Sequence, residues 1–160
     1  MDTTHMQPYP FKKIHRDKLQ PGDLFSLQMD DGRFGFGRII ARINDGHVAE
    51  IFDAFAATPS IDPNAAHRRL TPLVVLDAYG LFQRKTEGNW GIVGKTENYR
   101  PDPETARARF AWGLKGHQKA TDLSDRFEPI DDAEAELLPR CAPKGDYDVQ
   151  QLIQAALAKA

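Results

Sequence analysis

The sequence predicts an α+β domain, with an N-terminal, SH3-like antiparallel β-meander or partial barrel and helices added at the C-terminal end. Three observations predict it. Two short apolar runs, residues 24–27 and 34–40, are hinged on Asp30-Asp31-Gly32, a turn signal because glycine accepts the positive φ that tight hairpins demand. The near-continuous apolar run at residues 73–76 fits a buried strand. Val149, Leu152, Ile153, Ala156 and Leu157 recur at i, i+3, i+4, i+7 and i+8, one face of an amphipathic helix that must pack on the sheet.

In chain order, Pro21-Gly22-Asp23 opens the first strand, and Arg33-Phe34-Gly35-Phe36-Gly37-Arg38 forms its return. Gly35 and Gly37 predict a bulge or a close backbone approach, since glycine otherwise weakens a strand. Asn44-Asp45-Gly46 turns the chain into a third strand carrying Val48, Ala49, Ile51, Phe52 and Phe55, paired to residues 38–43. Residues 56–72 lack periodicity, which predicts a long surface connection or a short helix. Residues 79–82 and 90–93 are further strand candidates. Pro101-Asp102-Pro103-Glu104 predicts a helix start, extended by residues 105–110. Gly113 and Gly116 then break the pattern, and a polar connection is expected as far as Phe127. Asp131 and Glu134 have capping-box spacing before residues 135–138, and Pro139 stops that helix. Asp146 or Asp148 is expected to cap the last one.

At 160 residues, 41% hydrophobic and 28% charged, the chain fits one domain, 1–160, in which residues 1–18 form a partly flexible extension. No apolar run approaches the length that spans a bilayer. The first six residues carry no basic-then-apolar signal. A single cysteine, Cys141, excludes an internal disulfide and suits a reducing compartment. A cytoplasmic protein without a membrane partner is therefore expected.

The formal charge of -2 hides an asymmetry. From residue 122 onward there are nine acidic residues against four basic ones, so this region repels nucleic acid and would steer a basic partner toward it. Asp125, Glu128, Asp131, Asp132, Glu134 and Glu136 are the residues expected to carry that attraction. Asp30 and Asp31 on the first turn are the alternative docking point.

No catalytic constellation emerges. The five histidines are scattered, and none stands near Cys141 or another histidine at metal-ligand spacing, so neither a metal nor a cofactor is expected. Cys141 lacks a partner base, no serine sits in a nucleophile elbow, and Gly35-Phe36-Gly37 lacks the third glycine of a dinucleotide fingerprint. A non-enzymatic protein is the consequence. One competing pattern is the set Arg33, Arg38 and Arg42 among Phe34 and Phe36, which mimics the basic and aromatic surface that stacks single-stranded nucleic acid. Phe25, Phe34 and Phe36 are nonetheless expected in the core.

The Pro21-Gly22-Asp23-Leu24-Phe25 start, the Asp31-Gly32 turn and the Phe34-Gly35-Phe36-Gly37-Arg38 return together resemble the immunity protein 26 family. Gly88-Asn89-Trp90-Gly91-Ile92-Val93-Gly94 is similar to a second segment of that family. The resemblance implies a cytoplasmic antidote that binds a cognate bacterial toxin, and charge adds that the toxin is basic, such as a nuclease. The Gly22-Asp23 strand start also resembles growth-inhibitor ribonucleases with SH3-like barrels. This chain has Gly37-Arg38-Ile39 where those enzymes carry an Arg-Pro pair. That resemblance leaves an SH3-like nucleic-acid-binding module or ribonuclease as the alternative function.

Overall fold

In a computed structural model of the chain, residues 7–159 are described; the first six, where no signal segment was expected, lie outside them. Five strands form the main sheet in the order β4-β3-β2-β1-β5: β1 Asp23–Gln28, β2 Phe34–Ile43, β3 Gly46–Ala56, β4 Val74–Leu76 and β5 Trp90–Lys95. The expected meander is present, since β1, β2 and β3 pair antiparallel in succession. The α+β class holds. The sheet is open, with β4 and β5 as its two edges, so the barrel is not closed.

Gly37 shows why the return strand needs glycine. It stands between Phe25 and Ile51 in register, and a side chain there would collide with the Phe25 ring and the Glu50 carbonyl. The β2–β3 register shifts between Gly35 and Gly37, which is the expected bulge. Gly32, at φ +88°, closes the β1–β2 turn. Gly32→Val should therefore cost about 1–3 kcal/mol, because a β-branched side chain is strained at positive φ. A thermal melt that matches wild type would contradict the assignment.

The sheet is covered on both faces. Phe25, Leu27, Ile39, Ile51, Leu76 and Trp90 pack with Leu81, Phe82, Val149 and Ile153 in one cluster. The last two belong to α3, Asp146–Ala158, so the sequence stripe does seat this helix on the sheet. The opposite face carries Leu24, Phe34, Phe36 and Phe52 in one cluster, and Ile40, Val48, Val75 and Phe110 in another. Phe25, Phe34 and Phe36 are all buried, as expected of core residues. Residues 57–73 are a long connection without a helix; they return alongside β3 through a bridge from Arg69 to Phe52. The N-terminal stretch is docked where it is described: Ile14 donates its N–H to the Phe82 carbonyl, and the Phe11 ring lies against Gly91.

Four expectations change. Tyr79–Gln83 is a π-helical turn rather than a strand, with Gly80, Leu81 and Phe82 buried; a short apolar run of this kind looks the same in either conformation. The helix at Pro103 stops at Ala106 (α1, Pro103–Ala106). Residues 109–130, read as helix end and polar connection, instead form a second sheet: β6 Arg109–Leu114, β7 His117–Asp122 and β8 Phe127–Ile130. Pairing across the Lys115-Gly116 turn overrides the weak local helix preference of residues 105–110. Finally, Gly145 is the N-cap of α3, with no side-chain hydrogen bond. Asp146 is turned away to accept from the Trp90 indole N–H at 2.8 Å and from Gln150.

Candidate partner-binding surface

The second sheet and the short helix after it, α2 Asp132–Glu136, hold six of the eight acidic residues singled out in the sequence. Phe110 anchors β6 in the core beside Ile40 and Val75. On the other side of β6, Ala111 exchanges backbone hydrogen bonds with Pro139 and Cys141. The chain after α2 is thereby tied back to the sheet.

Five of these six carboxylates have a definite task. Asp131 caps α2, its Oδ1 accepting from the Glu134 N–H at 2.7 Å. Glu134 does not reach back to complete the capping box; its Oε1 instead accepts from Arg109 Nη2 at 2.9 Å. Arg109 also pairs with Glu128, and these two carboxylates hold its guanidinium above the usual range, Glu134 most of all. Asp132 accepts from the Gly116 N–H at 2.9 Å, and Asp125, at φ +62° in the β7–β8 turn, accepts from the Asn44 N–H at 2.9 Å. Glu136 is exposed, with no hydrogen-bond partner among the described residues. Asp131, Asp132 and Glu136 thus line α2 with carboxylates that no lysine or arginine pairs among the described residues, while Arg109 pairs with Glu128 and Glu134.

Folding also brings basic side chains into this region. Residues 109–140 contain seven carboxylates against five lysines and arginines, so the surface is mixed overall and acidic mainly along α2. Leu137, 84% exposed, follows Glu136. Beside it runs a shallow groove of about 440 Å³, bounded by Lys115, Gln118, Asp132, Glu136, Leu138 and Arg140. Leu137 carried no signal in the sequence, where residues 135–138 fall together on one helix; in the fold Ala135 alone is buried and Leu137 points outward.

Asp30 and Asp31 belong to a different place. They precede β2 at its Phe34 end, whereas Asn44, which holds Asp125, follows its Ile43 end. Asp31 accepts from both the backbone and the Nε of Arg33, and the Asp30 N–H donates to Gln150 on α3. The eight residues therefore form two separate surfaces.

The competing basic surface does not assemble as a free one. Arg33 pairs with Asp31, Arg38 with Glu50 and Arg42 with Asp17. Cys141 is a poor nucleophile: burial, followed by the Asp45 carboxylate 3.4 Å from Sγ, pushes its thiol up to about 12. Among the described residues, no three of His, Cys, Asp or Glu are grouped to hold a metal ion, and no helix is long and apolar enough to cross a membrane.

Fold and surface together define an α+β domain whose acidic residues serve as surface charge, helix cap and ion-pair partners. The chain belongs to the immunity protein 26 family, whose sequence model matches residues 20–117. The match spans β1 to the start of β7 and ends before the acidic segment. Comparisons with curated proteins and with solved structures gave no match.

Proposed function

We propose that this protein is a cytoplasmic, non-enzymatic antidote that binds a cognate bacterial toxin and blocks it. The docking surface is α2 with the groove beside it, and the toxin presents a basic face there. The observation that carries this choice is the density of charge in residues 131–136. Four carboxylates stand there, of which Glu134 alone is ion-paired. Exposed Leu137 supplies an apolar contact within that polar rim, the arrangement interfaces favour. α2 lies beyond the family-matched span, a suitable position for residues that select one toxin among many.

Exposed charges act mainly on encounter, so neutralising several should slow association without much change in dissociation. The variant Asp125→Asn, Glu128→Gln, Asp132→Asn and Glu136→Gln spares the Asp131 cap and keeps an acceptor oxygen at each altered position. Toward the cognate toxin, its association rate at low salt should fall by about tenfold, and the salt dependence should flatten. Equal rates for the folded variant and wild type at both salts would move the docking site away from α2, with Asp30 and Asp31 the next surface to test.

A further inference from the structure

The most unusual polar group in the molecule is His47, which is 2% exposed, yet neither ring nitrogen has a hydrogen-bond partner among the described residues. The Arg16 carbonyl lies near enough to favour the charged ring but does not meet hydrogen-bond geometry. Buried polar atoms are almost always paired, so an unpaired imidazole beside open space points to a missing partner. That space exists. A cavity of about 210 Å³ opens to the surface beside His47, with Arg16, Arg42, Asp45, Asp77 and Tyr79 around it.

The balance of charge in the cavity is set by which groups are already engaged. Arg42 is paired with Asp17, Asp45 takes the Cys141 thiol, and Asp77 accepts from the Gly80 N–H. Arg16 differs. Its guanidinium has no carboxylate within ion-pair distance among the described residues, and it is held 5.1 Å over the Tyr79 ring. The same ring is flanked by Arg84, whose Nη1 donates to the Tyr79 hydroxyl at 3.0 Å. Stacking of this kind fixes the planar donor fork of an arginine before any ligand arrives.

We propose that this cavity is an oxyanion site, in which Arg16 and the guanidinium donors of Arg42 that Asp17 leaves open receive a carboxylate or phosphate group and His47 donates a hydrogen bond to it. The oxyanion is carried either by a small free molecule or by an acidic side chain of a protein partner. The site is separate from the α2 surface and does not depend on it. Proton linkage gives it a direct signature. Burial, and then the positive charge of Arg42, lower the His47 imidazole to about 4. The groups facing it are Arg16 and Asp17 before β1, Arg42 on β2, Asp45 before β3 and Asp77 after β4. An anion bound among them adds one negative charge and favours the protonated ring.

The test is NMR titration of the His47 imidazole in the full chain, its resonance identified by loss in His47→Gln. Inorganic phosphate stands for a free anion, and N-acetylaspartate amide for a protein-borne carboxylate. With a bound oxyanion the His47 midpoint should rise by about 1–3 pH units. A response to phosphate alone supports the small-molecule source, and one to the blocked aspartate alone supports the protein source. Arg16→Gln, at an exposed position, should weaken the response at least tenfold, and Arg42→Gln should do the same. A midpoint unmoved by saturating amounts of both probes overturns the proposal, as does a response of equal strength in both arginine variants.

Discussion

Glu50→Ala is expected to remove about 3–5 kcal/mol of stability, the usual cost of breaking a buried ion pair from one side. The Glu50 side chain is 8% exposed and sits between two arginines: Oε2 pairs with Arg38 Nη1 at 3.2 Å, and Oε1 with Arg69 Nη2 at 3.2 Å. Arg69 Nη2 also donates to the Thr105 hydroxyl at 2.9 Å, which fastens α1 to the sheet. Arg38 is held between the rings of Phe52 and Tyr99. Removing the carboxylate leaves two guanidinium groups facing each other in a partly dry layer. The second arm is Glu50→Gln, which keeps the shape and one acceptor oxygen and should cost less than Glu50→Ala. Urea denaturation with an unchanged slope measures both. A loss below about 1 kcal/mol for Glu50→Ala would mean that water reaches the network freely.

Trp90→Ala should be of similar size, about 3–5 kcal/mol. Trp90 is fully buried, stacked on Phe25 at 5.3 Å and edge-on to Phe82 at 5.9 Å. Its indole N–H also ties β5 to the first turn of α3 through Asp146. Trp90→Phe separates the two contributions: it retains most of the apolar contact, loses the hydrogen bond and should cost about 1–3 kcal/mol. Equal losses for Phe and Ala would show that the link to α3 outweighs packing. Small domains have only about 5–15 kcal/mol in total, so this loss is a large fraction of the whole and brings a protein at the lower end of that range close to unfolding. Within the segment that resembles the family, this tryptophan is therefore a packing residue, and toxin contacts are to be sought on the surface.

The meander and the last helix were legible because their signals are local and periodic. Asp31-Gly32 and Asn44-Asp45-Gly46 mark turns, and the Val149 to Leu157 stripe has helical spacing. The second sheet was hidden for the opposite reason. Phe110, Trp112 and Leu114 alternate along one side of β6, but the signal is short, and the pairing that stabilises it comes from β7 and β8. The acidic residues were visible by composition alone. Their partners were not: Arg109 lies 25 positions before Glu134, and Asn44 lies 81 before Asp125. His47 gave no signal, because an unpaired imidazole is a property of the cavity around it.

Protection by binding can be measured in living cells. A cognate toxin domain is expressed in a susceptible bacterium from an inducible promoter, with this protein supplied from a second promoter, and surviving colonies are counted alongside isolation of the complex from the same cells. Survival is expected to return to the level of uninduced cells and the two proteins to purify together as a stable complex, with both effects weakened when the charge variant replaces wild type. Undiminished killing in cells that contain abundant folded protein, with no complex recovered, would contradict protection by binding.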